Sequence, residues 1–170
     1  AIYIHCALHS FRAMTTDSWR ELIGVTSRRH TRAHNFQVNW ASDPITAGLP
    51  PFVTPIDELY VIEKQWPGVK AIATAINSVD NGVAGPNESY AVAWTQEYKG
   101  GGRTFGTSLG HGNATWETNQ FKELVVRGFR WALKKEPIAL PPPAPPQRGG
   151  GAEAPGPNAP RPTGRGGDIR

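Results

Sequence analysis

One cysteine in 170 residues, Cys6, excludes an intramolecular disulfide framework and a cysteine-rich zinc site. No apolar run approaches the roughly 20 residues that carry a helix across a bilayer, so no membrane span is expected. The N-terminus lacks the basic stretch and the apolar core of a signal peptide. It also lacks an initiating Met, and Ala1 already sits in a strand-like run. The chain is therefore expected to be the C-terminal portion of a longer protein, and its compartment, cytoplasmic or extracytoplasmic, stays open. Concentrated positive charge is missing as well. The formal charge is +4, but the lysines and arginines are scattered. The one local run, Arg28-Arg29-His30-Thr31-Arg32, is too short for a nucleic-acid footprint, and nucleic acid is not an expected partner. Internal repeats are absent, and oligomeric state is not legible.

Large apolar residues nearly vanish from Pro137 onward. The run Pro141-Pro142-Pro143-Ala144-Pro145-Pro146 leads into Gly, Ala, Pro and Arg as far as Arg170. Such a composition buries too little surface to offset chain entropy, which predicts a disordered tail over 137–170 with local polyproline II character. Residues 1–136 are then one domain.

That domain reads as α/β. Strand-like runs occur at Ala1–His5, Phe36–Trp40, Glu58–Ile62, Val69–Ile76, Tyr90–Trp94 and Arg103–Leu109. A short helix is expected over Thr16–Ile23, behind capping residues. The clearest helix is Thr118–Lys135, where Phe121, Leu124, Val125, Gly128, Phe129, Trp131 and Ala132 recur at helical spacing. Thr118 caps it, Lys134 and Lys135 suit its dipole, and Pro137 ends it.

Two of these runs end alike. Ala1–Ile4 stops on His5-Cys6-Ala7, and Thr104–Leu109 stops on Gly110-His111-Gly112. Open α/β sheets place ligands beyond the carboxyl ends of their strands. His5, Cys6 and His111 are therefore expected around one cleft.

The order of the segments resembles the trehalose-utilisation (ThuA-like) family of the class I glutamine-amidotransferase-like superfamily. The stretches are I-H-C-A-L-H-S, D-P-I-T-A-G-L-P, D-E-L-Y, A-V-A-W-T-Q-E-Y, T-S-L-G-H-G-N-A-T-W-E and F-K-E-L-V-V-R-G-F-R-W-A, spread over Ala1–Leu133. The resemblance implies a flavodoxin-like three-layer α/β sandwich whose N-terminal βα units are missing from this chain. It implies trehalose or a related disaccharide, an oxidised keto form included, as substrate. Where the family shows His-Pro this chain has Asp43-Pro44.

Within that frame Cys6 stands near the elbow where amidotransferases hold a nucleophilic thiol, with His111 as its base. The flanks Ile4, His5, Ala7 and Leu8 lack the elbow glycines, and no Pro-Glu follows His111. They favour the other reading of Cys6, a small buried residue, and make glutamine hydrolysis an unexpected activity. His5 and His111, and less so His9, are candidate acid/base or polar substrate groups, because imidazole titrates near neutral pH. The glycines around His111 admit a ligand closely. Asp57 and Glu58 with Tyr60 offer a carboxylate partner for either histidine, or hydrogen bonds to sugar hydroxyls. Trp94 and Trp116 are candidate platforms for a sugar ring, whereas Trp40, Trp66 and Trp131 are assigned to packing. His5 and His111 with Glu58 or His34 carry the donor types zinc takes. Convergence of such distant groups is not readable from sequence, so no metal ligand is assigned and the cofactor stays open. The alternative to a sugar-processing enzyme is a non-catalytic sugar-binding or scaffold module of a larger protein.

Overall fold

A computed structural model describes residues 1–78 and 83–138. Their elements are β1 (Ile2–Ile4), α1 (Ser18–Ile23), β2 (Val25–His30), β3 (Gln37–Trp40), β4 (Phe52–Val53), β5 (Tyr60–Gln65), β6 (Val69–Ile76), β7 (Ser89–Tyr98), β8 (Gly102–Thr107), α2 (Asn113–Glu117) and α3 (Asn119–Ala132). The tail expected over 137–170 falls, from residue 139 on, outside the described residues.

Six strands form a mixed sheet in the order β1-β8-β7-β6-β3-β4, and β2 pairs with β5 in a second, antiparallel sheet. Strand β1 runs parallel to β8, with Ile4 opposite Thr107, so the carboxyl ends of the two strands finish side by side. The other described pairings are antiparallel. The fold is thus α/β with a mixed sheet and flanking helices, broadly consistent with a flavodoxin-like sandwich. Of a doubly wound parallel sheet, the described residues hold this one parallel pair.

Side-chain alternation along β8 assigns its two faces. Phe105 is fully buried against α3, where Gly128 gives it room: a Cβ there would stand 2.4 Å from the Phe105 ring. Thr104 and Gly106 face the other way. The Thr104 hydroxyl donates to Leu22 O of α1 at 3.2 Å, and Gly106 lies against Trp94. Helices therefore cover both faces of β8. One apolar cluster gathers Val38, Ile72, Val92, Phe105, Phe121 and Leu124, and a second gathers Leu8, Ile23, Val25, Tyr60 and Trp94.

Helix α3 begins on the expected cap, with the Thr118 hydroxyl accepting from Phe121 N. Its buried stripe departs from the apolar pattern at two places. Phe129 is 47% exposed, while Arg127 is buried. Arg127 pairs with Glu123 at 2.6 Å and donates to Ala47 O at 2.6 Å and Ile45 O at 3.2 Å, so its charge is paired within the fold while its buried Nε has no hydrogen-bond partner. Spacing alone does not reveal a basic residue that satisfies loop carbonyls from inside an apolar face.

The Asp43-Pro44 turn follows β3. Asp43 accepts from Ile45 N at 2.9 Å and pairs with Lys70 at 2.6 Å, which makes it a turn-stabilising carboxylate. It lines an open cleft of about 690 Å³ with Trp40, Pro44 and Leu49. No helix among the described residues is long and apolar enough to cross a membrane.

Candidate functional site

The parallel pairing of β1 and β8 brings the two strand ends together. His5 leaves β1 at φ 46°, a left-handed conformation that costs a non-glycine residue about 1–3 kcal/mol. The elbow residue is therefore His5, one position before Cys6. Its ring is buried, and Nδ1 lies 2.7 Å from Ser108 O, the first residue after β8. A carbonyl only accepts, so in the neutral ring Nδ1 carries the proton and Nε2 presents its lone pair to the cleft.

Glu58, just ahead of β5, meets that nitrogen. Glu58 Oε2 is 3.4 Å from His5 Nε2 and 3.3 Å from His111 Nδ1, and the two imidazole centroids are 5.4 Å apart. The Glu58 side chain is 14% exposed and that of His111 49%, so the group grades from the interior to an open mouth. A third imidazole approaches from β2, with His30 Nδ1 3.4 Å from Glu58 Oε1.

Asp57 holds the loops in place. It is fully buried and accepts from Glu58 N at 2.8 Å, Gly110 N at 2.9 Å, His111 N at 3.0 Å and Thr115 Oγ1 at 2.8 Å. One carboxylate thereby ties the segment before β5 to the turn after β8 and to α2. Its bond to His111 N fixes the histidine backbone beside Glu58.

Behind the cluster lies an aromatic stack. His9 lies flat on Tyr60 at 4.2 Å between centroids, and His30 stacks on Tyr60 at 5.5 Å. Burial, then the nearby Cys6 and Glu58, push the Tyr60 hydroxyl well above its usual range, so it remains a proton donor, 3.3 Å from His5 Nε2. Burial, then Arg12 and the imidazoles of His30 and His5, push His9 down to about 4, so its ring is neutral near neutral pH.

The structure thus brings together His5, Glu58, Tyr60 and His111 of the sequence candidates. Tyr60 is 2% exposed, behind His5 rather than at the mouth, and it orients instead of meeting solvent. Trp94 does not stand at a strand end. It lies within β7, fully buried, and its indole donates to Ile23 O at 2.8 Å, so no ring face is open to a ligand. Trp116 is 43% exposed and donates to Gly110 O at 2.9 Å, which holds the indole against the turn that carries His111. Cys6 is exposed, against the expected burial, and no hydrogen bond or ion pair among the described residues links its thiol to a histidine. The His34 backbone pairs with that of Asp57, but its imidazole is outside the cluster, with Nδ1 2.8 Å from Arg32 O.

His30 ends β2, a strand absent from the runs read in the sequence. Strand β2, Val25–His30, changes from buried to exposed midway and pairs with β5 through two register shifts, so no clean alternation marks it. The linking role of Asp57 was equally hidden, since three of its partners lie 53 to 58 residues away.

Comparison with known proteins places the fold and the family. No curated protein matches the chain. A solved structure of a ThuA-like protein from Bacteroides uniformis shares the fold, with a TM-score of 0.64 at 16% identity. The match covers 80% of this chain and 60% of that one, so this chain spans less than two thirds of its length. The trehalose-utilisation model, ThuA, matches residues 1–132. By that match over most of its length, the chain belongs to the ThuA family.

Proposed function

We propose that this protein acts on a carbohydrate, trehalose or a related disaccharide including its keto-oxidised form, and that His5, Glu58 and His111 handle a proton at the bound sugar. The observation that carries the reading is the placement of one half-buried carboxylate oxygen within 3.4 Å of both imidazoles at a half-open mouth. A carboxylate there orients the rings, and His111 reaches solvent and a substrate hydroxyl. Trp116, held against Gly110, offers an aromatic face for the apolar side of a sugar ring. Family membership supports the substrate class.

The test is His111→Ala, assayed for disaccharide turnover and, separately, for sugar binding. Removing a proton-transfer group lowers turnover by about 10²–10⁴-fold, while binding through the remaining polar and aromatic contacts persists. Turnover within a few fold of wild type assigns the chemistry elsewhere. A wild-type protein that binds the sugar and never turns it over is the non-catalytic binding module instead.

A further inference from the structure

The three side chains at the mouth stand at spacings that hydrogen bonding does not explain. A charge-assisted imidazole–carboxylate hydrogen bond closes to about 2.7–2.9 Å. Here Glu58 Oε2 holds 3.4 Å to His5 Nε2 and 3.3 Å to His111 Nδ1. Zinc bonds nitrogen and carboxylate oxygen at about 2.0–2.2 Å, and tetrahedral angles then set neighbouring ligand atoms about 3.3–3.5 Å apart. Ligand atoms of His5, Glu58 and His111 all lie within 4.8 Å of one another, close enough to share one ion.

We propose that His5 Nε2, Glu58 Oε2 and His111 Nδ1 form a binding site for a divalent first-row cation, zinc by this spacing. The donor set is two imidazoles and a carboxylate, the composition of catalytic zinc sites that keep one position open. The outer partners fit. His5 donates its other ring N–H to Ser108 O at 2.7 Å, the bond that fixes the tautomer and orientation of a metal-bound histidine. Asp57 anchors His111 through its backbone, and His30 stands 3.4 Å from the second oxygen of Glu58. The Tyr60 hydroxyl, 3.3 Å from His5 Nε2, competes for that lone pair in the ion-free protein. His111 is half exposed, so a water or sugar oxygen would reach the free position from that side. His34, the alternative ligand from sequence, takes no part.

This proposal rests on the reading that the cluster is the working site, and it changes the proton carrier. With the ion in place, the two imidazoles hold it, and the ion's Lewis acidity activates the oxygen at the open position.

The test strips the purified protein with a chelator, dialyses it against dilute zinc, desalts it and measures retained zinc per chain. Wild type is expected to retain one equivalent. His111→Ala and Glu58→Gln, each checked for an unchanged far-UV spectrum and melting temperature, are expected to weaken retention at least tenfold. His34→Ala is expected to retain zinc like wild type. That pattern supports the site whether or not any sugar turns over, and absent turnover then counts against the functional reading alone. No retention by wild type, or equal retention in His111→Ala and Glu58→Gln, overturns the site and leaves proton transfer by the cluster standing.

Discussion

Asp57→Asn should cost about 3 kcal/mol of stability, because hydrogen bonds to a charged group and orphaned buried donors are each worth about 1–3 kcal/mol. The native carboxylate offers acceptors in every direction and uses them on three backbone N–H groups and one hydroxyl. Asparagine keeps one oxygen. If that oxygen stays toward Glu58 N and His111 N, the new amide N–H₂ confronts Gly110 N–H, which has no way to turn round. If the amide flips, the Glu58 and His111 donors are orphaned instead. Thr115 alone adapts, since its hydroxyl rotates to accept. Urea denaturation reads the loss as a lower midpoint at unchanged slope. Turnover should fall by about 100-fold, because a misplacement near 1 Å costs that much and Asp57 sets His111 against Glu58. A midpoint and rate equal to wild type would mean that the carboxylate does not hold the site together.

The second large effect lies in the core. Gly106→Ala places a Cβ 2.4 Å from Trp94 Cε2 and Cζ2 and 2.6 Å from Nε1. The indole cannot retreat, because it is fully buried and its N–H is bound to Ile23 O at 2.8 Å. Either β8 shifts or the tryptophan tilts and frees the carboxyl end of α1. The expected cost is about 3 kcal/mol, the upper end for overpacking a core. Gly102→Ala is the control. It lies at the start of the same strand, and a Cβ there meets nothing nearer than Lys99 O at 3.9 Å. Its expected change is within about 0.5 kcal/mol, as for an ordinary surface substitution. Equal effects at the two glycines would assign the loss to backbone entropy rather than to the Trp94 contact.

Sequence reading went furthest where local pattern and chemistry coincide. The Thr118 cap of α3 is local and falls where expected, as do Phe121, Leu124 and Gly128 of its stripe. The shared mouth of His5 and His111 followed from two similar strand ends, and parallel pairing of β1 with β8 places them together. Other features turned on distant partners. Trp94 looked like a strand terminus because the apolar run pauses there, yet β7 continues to Tyr98, with Gln96 donating to Pro67 O at 3.4 Å. Strand β2 was missed because its exposed half carries Arg28 and Arg29, with Arg28 paired to Glu63 of β5. Asp57 is adjacent to Glu58 in sequence, but its role depends on a turn 53 residues further on.

The proposed substrate site is one cluster, Glu58 with the imidazoles of His5 and His111. A crystal soaked with trehalose and with its keto-oxidised form tests it most directly. A sugar oxygen is expected within about 2.6–3.2 Å of Glu58, His111 or an ion they hold, the reach of a productive proton transfer, with Trp116 alongside the ring. Sugar density confined to the cleft between Trp40 and Leu49, with the His5–Glu58–His111 mouth untouched, would contradict it.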